Sequence, residues 1–224
     1  MIIIFKCILL VINFSFLFSY ENKFSCDVNS NDDKINLTHT PELVEVSGGY
    51  VRLAKMGEGH LTELGKPELP TYTTYYQLDP SKTYAFELEV LESEVIENII
   101  ILPHQGMEKW EVDAVSLIDE SLYSSHEVFP SQNMVVSDRR QGRGIEFLSI
   151  QVIPYKYYPK YERLEVFTSI DIHVIETGEN PNNELNQPKR SHVFDAFYED
   201  LIVNFTSSER SEDYQASSIL YIAG

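Results

Sequence analysis

Apolar and polar residues alternate with a period of two along much of the chain from Leu43 onward. In the segment 84–90, aromatic and aliphatic residues alternate with alanine and glutamate, and a longer alternation of the same kind covers 164–174. This period predicts strands that have one buried face and one solvated face. The second strand is unusually long, so we expect it to be twisted or bulged.

Proline residues mark where two further strands begin and end. Pro67 and Pro70 keep the backbone extended before the aromatic and β-branched run 71–76, which is typical of a strand. Another strand is predicted over 145–153 and ends at Pro154, from which a tyrosine-rich turn leads to the long strand.

The fold class follows from these short elements and the turns between them. A serine and two glycines at 47–49 separate two short apolar segments, which predicts a hairpin. Helical periodicity is weak between residues 42 and 176. The pattern therefore predicts an all-β domain over 42–176, built as an antiparallel β-sandwich.

The residues before this domain divide into two segments. The apolar core 8–18 inside residues 1–20 is too short for a comfortable membrane span and fits the hydrophobic region of a signal peptide. An uncleaved anchor is the alternative. Residues 21–41 are rich in Asn, Asp and Ser, so we expect a flexible acidic leader.

The composition changes again after the sandwich. Residues 177–190 contain Gly, Pro and Asn and predict a linker. A helix should follow, with Ser191 able to cap its start and one apolar face made of Val193, Phe194, Phe197, Leu201 and Ile202. The apolar segment 218–223 has no predicted partner strand, so we expect a further domain to begin within 191–224.

Charge and cysteine content exclude some functions. The chain carries 35 acidic and 17 basic residues, for a net charge of −18, which argues against nucleic-acid binding. A solvated secreted surface or a basic partner would each explain this charge. If residues 1–20 are removed, Cys26 is the one remaining cysteine, so no internal disulfide is expected.

No motif in the sequence predicts catalysis. Cys26 lies in a polar segment without a nearby base, and the G-x-S-x-G pattern does not occur. The histidines have no metal-ligand spacing, and they are His39, His60, His104, His126, His173 and His192. We therefore expect no catalytic residues, metal or cofactor, and we expect His173 to be solvated on a polar strand face.

Two basic clusters differ from this acidic background. Arg139, Arg140 and Arg143 lie in the segment DRRQGRG, and their mutual repulsion predicts that they spread into solvent on a loop. The loop either presents a basic side chain to an acidic pocket or is an exposed turn with incidental arginines. Lys189 and Arg190 lie in the predicted linker and form a candidate proteolytic processing site.

In their order and spacing, several segments resemble the N-terminal propeptide domain of gingipain-type secreted cysteine peptidases. The resemblance covers nearly all of residues 42–224, although each motif alone is weakly specific. The matching segments are 65–70 (GKPELP) with Tyr72 and Leu78, 102–105 (LPHQ), the strand–turn–strand region 143–170, Phe194, Tyr198, Ile202 and Asn204 of the predicted helix, and 219–222.

The resemblance implies a non-catalytic β-sandwich prodomain that acts as an intramolecular chaperone and blocks the active site of its cognate peptidase until it is cleaved. Residues 191–224 would then form a helix leading to the first strand of a missing catalytic domain. The resemblance also implies secretion, and Arg139, Arg140 or Arg143 could occupy the specificity pocket of an arginine-cleaving member. Whether the chain is a fragment or a stand-alone inhibitor stays open, and a secreted binding or adhesin module without a peptidase partner is the alternative.

Overall fold

The computed structural model describes residues 23–27, 33–53, 59–106, 115–181 and 189–216. The predicted signal peptide 1–20 and the predicted strand 218–223 lie outside these residues. Within the described ranges the strands are β1 (Lys23–Asp27), β2 (Asp33–Thr38), β3 (Val44–Glu45), β4 (Val51–Arg52), β5 (Gly59–His60), β6 (Pro70–Leu78), β7 (Lys82–Ile96), β8 (Met134–Val136), β9 (Arg140–Gly142), β10 (Ile145–Val152), β11 (Tyr155–Tyr158) and β12 (Arg163–Glu179).

Two α-helices accompany these strands in the described residues, α1 (Glu120–Tyr123) and α2 (His192–Leu201). Three 3₁₀ turns also occur there, at Ser47–Gly49, Pro159–Tyr161 and Ser211–Asp213. Neither α-helix is long and apolar enough to cross a membrane.

Two antiparallel sheets, each five-stranded in the described residues, form the domain. In the first sheet, β7 pairs along one side of β12, while β2 and β11 share its other side and β1 pairs with β2. In the second sheet, β10 pairs with β6 on one side and with β8 and β9 on the other, and β5 pairs with β6.

The two sheets pack face to face around one apolar cluster. β2 and β12 contribute residues such as Ile35 and Ile172, and β6 and β10 contribute residues such as Tyr76 and Ile150. A second buried cluster lies beneath the β3–β4 hairpin and includes Leu69 and residues of β11 and β12. The prediction of an all-β antiparallel sandwich is therefore confirmed, as is the hairpin around 47–49.

The long strand is bulged, as the sequence predicts. The pairing of β12 with β7 shifts register between Phe167 and Ser169, immediately after Ser169, and again between Glu176 and Gly178. However, β12 continues to Glu179, so the prediction that a linker begins at 177 is wrong. The Lys82 ammonium lies 2.9 Å from the Glu176 carboxylate and 2.8 Å from that of Glu179, which holds this end against β7.

The prediction of a flexible leader over 21–41 is also wrong. β2 lies between β1 and β12 in the first sheet, and Ile35 and Leu37 are fully buried. The polar residue between them is satisfied as well, because the Asn36 side-chain amide donates to the Ile170 carbonyl at 3.3 Å and to Asp171 at 3.1 Å. Although the segment is mostly polar, Ile35 and Leu37 are two residues apart and therefore lie on the same, buried face of β2.

Helix α2 covers part of the second sheet, and its predicted apolar face is only partly right, because Phe194, Leu201 and Ile202 pack there as expected. Tyr198 and Ile202 are buried against Ile145, whereas Val193 is 81% exposed and Phe197 is 58% exposed. Ser191 occupies the N-cap position, but its side chain makes no capping hydrogen bond.

The residues after α2 continue onto the edge of β6. The Val203 amide donates to the Tyr75 carbonyl at 2.9 Å. The Asn204 side chain bonds both backbone groups of Gln77, because its Oδ1 accepts from the Gln77 amide at 2.6 Å and its Nδ2 donates to the Gln77 carbonyl at 3.0 Å. This side chain therefore takes the place of a neighbouring strand.

The burial of β2 predicts that two leucine substitutions change the free energy of unfolding by very different amounts. Leu37 is fully buried, whereas Leu91 on β7 is 49% exposed. We expect Leu37→Ala to lower the free energy of unfolding by about 2–5 kcal/mol, because it leaves a cavity in the core. We expect Leu91→Ala to change the free energy by about 0.5 kcal/mol or less. Urea denaturation measures both, and equal effects would contradict the position of β2.

Candidate functional site

The arginine segment forms a tight β-hairpin rather than an open loop. β9 and β10 pair antiparallel with Gly142 opposite Ile145, so Arg143 and Gly144 are the two loop residues. Their φ angles are +48° and +87°, and two positive values identify a type I′ turn. This turn matches the twist of the paired strands, so the hairpin is a defined element that can present side chains in fixed directions.

The three arginines of the hairpin have different environments. Arg139 donates to the Glu146 carboxylate at 2.7 Å and to the Lys82 carbonyl, so its charge is compensated. Arg143 is exposed, and its guanidinium lies 4.9 Å from the ring centroid of Phe194 on α2. Arg140 is exposed and forms no ion pair with any described residue. The expectation that all three spread into solvent is wrong for Arg139, and Arg140 fits it best.

The hairpin is packed closely against α2. A Cβ atom placed on Gly142 would lie 2.8 Å from the Tyr198 hydroxyl, so a side chain at this position would have to displace the Tyr198 ring. The Phe147 ring on β10 packs 6.2 Å from the Tyr198 ring. The helix therefore supports the hairpin from one side and fixes its orientation on the second sheet.

The two residues of the predicted processing site also differ. Lys189 is exposed, whereas the Arg190 side chain is 11% exposed. The Arg190 guanidinium donates to the Thr206 carbonyl at 2.9 Å, lies 3.6 Å from the Asp195 carboxylate and stacks over the Phe205 ring. Arg190 thus anchors the start of α2 to the residues that follow the helix.

The backbone at Arg190 is held in place as well. The Arg190 amide donates to the Asp213 carbonyl at 2.8 Å, and the Gln215 amide donates to the Arg190 carbonyl at 2.9 Å. Lys189 and Arg190 line a pocket of about 630 Å³ between this segment and the ends of β6 and β10. Lys189 is accessible to solvent, whereas the backbone of Arg190 is paired on both sides rather than extended and free.

The structure also assembles histidines that sequence spacing does not connect. His60, Glu68 and His104 lie together, with their potential ligand atoms within 4.8 Å of one another. His173 lies 2.8 Å from the Glu89 carboxylate, and its side chain is 21% exposed, so it is paired rather than simply solvated. Burial lowers the pKa of His39 to about 4, which keeps this side chain neutral near pH 7.

Comparison with known proteins decides the family. The family model Propeptide_C25 matches residues 28–211. The chain belongs to this propeptide family. The match includes every described strand from β2 onward, the hairpin and α2, and it confirms the resemblance to gingipain propeptides and the non-catalytic nature of the matched region.

Curated relatives agree with this assignment. The chain is 28% identical over 167 residues to gingipain R1 of Porphyromonas gingivalis, in a match covering 72% of this chain and 17% of that protein. It is 26% identical over 172 residues to gingipain R2 of the same species, covering 74% of this chain and 23% of that protein. The chain thus spans about a fifth of the length of these relatives.

Solved structures show the same fold at lower sequence identity. The complex of Porphyromonas gingivalis RgpB pro- and mature domains contains a chain that superposes with a TM-score of 0.61 at 20% identity, covering 81% of this chain and 96% of that one. A structure concerning zymogenic latency of gingipain K from the same species gives a TM-score of 0.54 at 18% identity, covering 72% and 96%.

The contacts of Arg190 predict that replacing Arg190 loosens α2 more than replacing Lys189 does. Arg190→Ala removes the guanidinium contacts with Thr206 and Asp195, so we expect α2 to detach from the sandwich more often. Lys189→Ala is the matched control, because its side chain is exposed. Limited proteolysis with a protease that cleaves after aromatic residues should cut Arg190→Ala several-fold faster within 191–216. Equal rates for the two variants would contradict the anchoring role.

Proposed function

We propose that the chain is the propeptide of a gingipain-type cysteine peptidase precursor, where it assists folding of the peptidase domain and blocks its active site until it is cleaved. The match of the propeptide family over residues 28–211 carries this proposal. The chain spans only about a fifth of its curated relatives, so the peptidase domain itself is proposed as the partner.

The proposed inhibition is steric. The packed sandwich docks on the active-site face, and the β9–β10 hairpin extends a basic side chain into the cleft. A pre-organised hairpin loses little conformational entropy on docking, which favours tight binding. An interface of this kind buries on the order of 1,600 Å² or more, and a few anchoring residues dominate its affinity.

Arg140 is the best candidate among the three arginines for the specificity pocket of an arginine-cleaving peptidase. Arg139 is already neutralised by Glu146, and the guanidinium of Arg143 lies over Phe194. Placing Arg139 or Arg143 in a pocket of the peptidase would first break its contact with Glu146 or with Phe194. Arg140 has no such contact among the described residues, so it can enter an acidic pocket at the lowest cost.

Release of the peptidase is proposed to follow cleavage near Lys189 and Arg190. Covalent attachment gives the inhibitor a high effective concentration, and cleavage removes this advantage. We also propose that residues 1–20 are a signal peptide that directs the precursor out of the cell. The alternative of a binding or adhesin module without a peptidase partner is not favoured, because the match is to a propeptide family.

Inhibition in trans tests the role of Arg140. We expect Arg140→Ala to raise the inhibition constant for the cognate peptidase at least about tenfold, because it removes an anchoring side chain. Arg139→Ala and Arg143→Ala are the controls and should have smaller effects. Enzyme assays with purified chain measure all three, with thermal melts confirming that each variant is folded.

Two outcomes would count against this assignment. If the triple variant with alanine at 139, 140 and 143 inhibits as well as the parent chain, the hairpin does not occupy the pocket. If the parent chain does not inhibit any gingipain-type peptidase, the proposed function itself is wrong.

Maturation of the precursor tests the processing site. We expect the double variant Lys189→Ala with Arg190→Ala to mature more slowly when a peptidase with basic specificity performs the cleavage. Replacing Arg190 also removes the anchor of α2, which by itself would loosen this segment and accelerate cleavage. Slower maturation of the double variant can therefore come only from the loss of the cleavage site. Mass spectrometry of the released fragment locates the cut, and an unchanged rate and cut position would rule the pair out.

A further inference from the structure

Two histidines and a glutamate from distant parts of the sequence meet beside β5. Their potential ligand atoms all lie within 4.8 Å of one another. The Nδ1 atom of His104 is 3.3 Å from the Glu68 carboxylate, and the rings of His60 and His104 have centroids 5.2 Å apart. Glu68 and His104 are buried, whereas His60 is partly exposed. We call these three residues the His–Glu–His cluster.

The backbone around the cluster is fixed by hydrogen bonds. His60 lies on β5, opposite Pro70 of β6. The Glu68 amide donates to the Leu102 carbonyl at 2.8 Å, and the His104 amide donates to the Lys66 carbonyl at 2.8 Å. The three side chains therefore project from segments that are already held together, so little ordering is needed to bring them to one ligand.

These residues have the chemistry and spacing of a transition-metal site. Imidazole nitrogen and carboxylate oxygen are zinc ligands, and bonds of about 2.0–2.2 Å in a tetrahedral site place the ligand atoms about 3.3 Å apart. The separation between His104 and Glu68 already has this length. The distances from the His60 ligand atom to those of Glu68 and His104 are at most 4.8 Å. They would have to shorten by at most about 1.5 Å, which rotation of the partly exposed His60 ring can supply.

A neighbouring arginine holds the glutamate in a binding orientation. The Arg52 guanidinium lies 3.1 Å from the Oε1 atom of Glu68, while the Oε2 atom of Glu68 faces His104. One carboxylate oxygen is thus held by the protein, and the other is directed into the cluster. Outer partners of this kind commonly orient metal ligands.

Solvent can complete the coordination. His60 and His104 line a pocket of about 340 Å³ together with Thr62, Leu64 and Gly106. This pocket gives an ion a route to the buried ligands and leaves room for water in a fourth position. Three protein ligands plus one open position is a common arrangement for zinc.

We propose that His60, Glu68 and His104 bind one divalent transition-metal ion, for which Zn²⁺ is the best match. The ion fastens β5 to the segment that carries His104 and so stabilises this end of the sandwich. The site is independent of the proposed inhibition, because neither the arginine hairpin nor α2 contributes a ligand.

A second group of similar composition provides the control. Glu89, Asp171 and His173 also lie within 4.8 Å of one another, but on the more exposed face of the first sheet. There, both carboxylate oxygens of Asp171 are occupied, because the Asn36 side-chain amide donates to Oδ1 at 3.1 Å and the Lys34 ammonium lies 3.4 Å from Oδ2. A cation would have to displace this ammonium, so we expect no tight binding at this second group.

Cobalt titration of the purified, metal-free full chain tests the site. Co²⁺ in a tetrahedral site with nitrogen and oxygen ligands absorbs visible light strongly, whereas octahedral Co²⁺ absorbs weakly. We expect one equivalent of Co²⁺ to give the strong absorption and Zn²⁺ to displace it. His60→Asn should weaken binding at least about tenfold, whereas the control His173→Asn should leave it unchanged. Zn²⁺ should also raise the melting temperature of the parent chain and of His173→Asn, but not that of His60→Asn.

His60 is preferred to His104 for the deciding variant because it is partly exposed, so its replacement leaves the core intact. A melt of metal-free His60→Asn that matches the parent confirms the fold. Weak octahedral absorption, unchanged binding in His60→Asn or a loss of binding in His173→Asn would each overturn the proposal. None of these measurements requires a peptidase, so the result stands apart from the test of inhibition.

Discussion

Strand β12 is the element on which the rest of the domain depends. Its residues Ile170 and Ile172 lie in the cluster between the two sheets, while Leu164 and Val166 lie in the second cluster beneath the β3–β4 hairpin. Its two edges carry β7 on one side and β2 with β11 on the other. One strand thus joins both buried clusters, and its bulges let it bend from one to the other.

The arginine hairpin and α2 are attached to the opposite sheet and keep their geometry through it. β10 pairs with β6 along its length, and its first residues carry the arginine hairpin. The α2 helix packs on the same region through Tyr198 and Ile202. Because the hairpin, the helix and the segment at Arg190 all meet on this sheet, a disturbance of the helix will reach the hairpin.

The parts of the structure that the sequence predicts are those with a local signal. The two-residue alternation locates β7 and β12, while prolines and aromatic or β-branched composition locate β6 and β10. The glycines around Arg143 indicate a turn, but the pairing of β9 with β10 is not visible in the sequence. β2 is missed because Ile35 and Leu37 are isolated among polar residues, and their burial depends on pairing with β12. The apolar face of α2 is predicted only in part: Phe194, Leu201 and Ile202 pack on the sheet as expected, but Tyr198 is buried there instead of Phe197.

The contacts of individual side chains are also hard to predict from sequence, because they depend on residues that are far apart along the chain. The charge of Arg139 is compensated partly by the Lys82 carbonyl, which is 57 residues away in sequence. Glu68 and His104 are separated by 36 residues and meet only because their segments pair. Ligand spacing rules detect neighbours on one helix or hairpin, and they do not detect a cluster built from three segments.

The side chain of Asn204 has a consequence for the proposed cleavage near Lys189 and Arg190. It occupies both backbone groups of Gln77, so the outer edge of β6 is closed at this point. Any event that carries residues 191–204 away from the sandwich exposes these groups to water. An open strand edge invites pairing with other chains. A sandwich that loses residues 191–204 in the proposed processing would therefore be more prone to aggregate than one that keeps them, and the proposed release would be difficult to reverse.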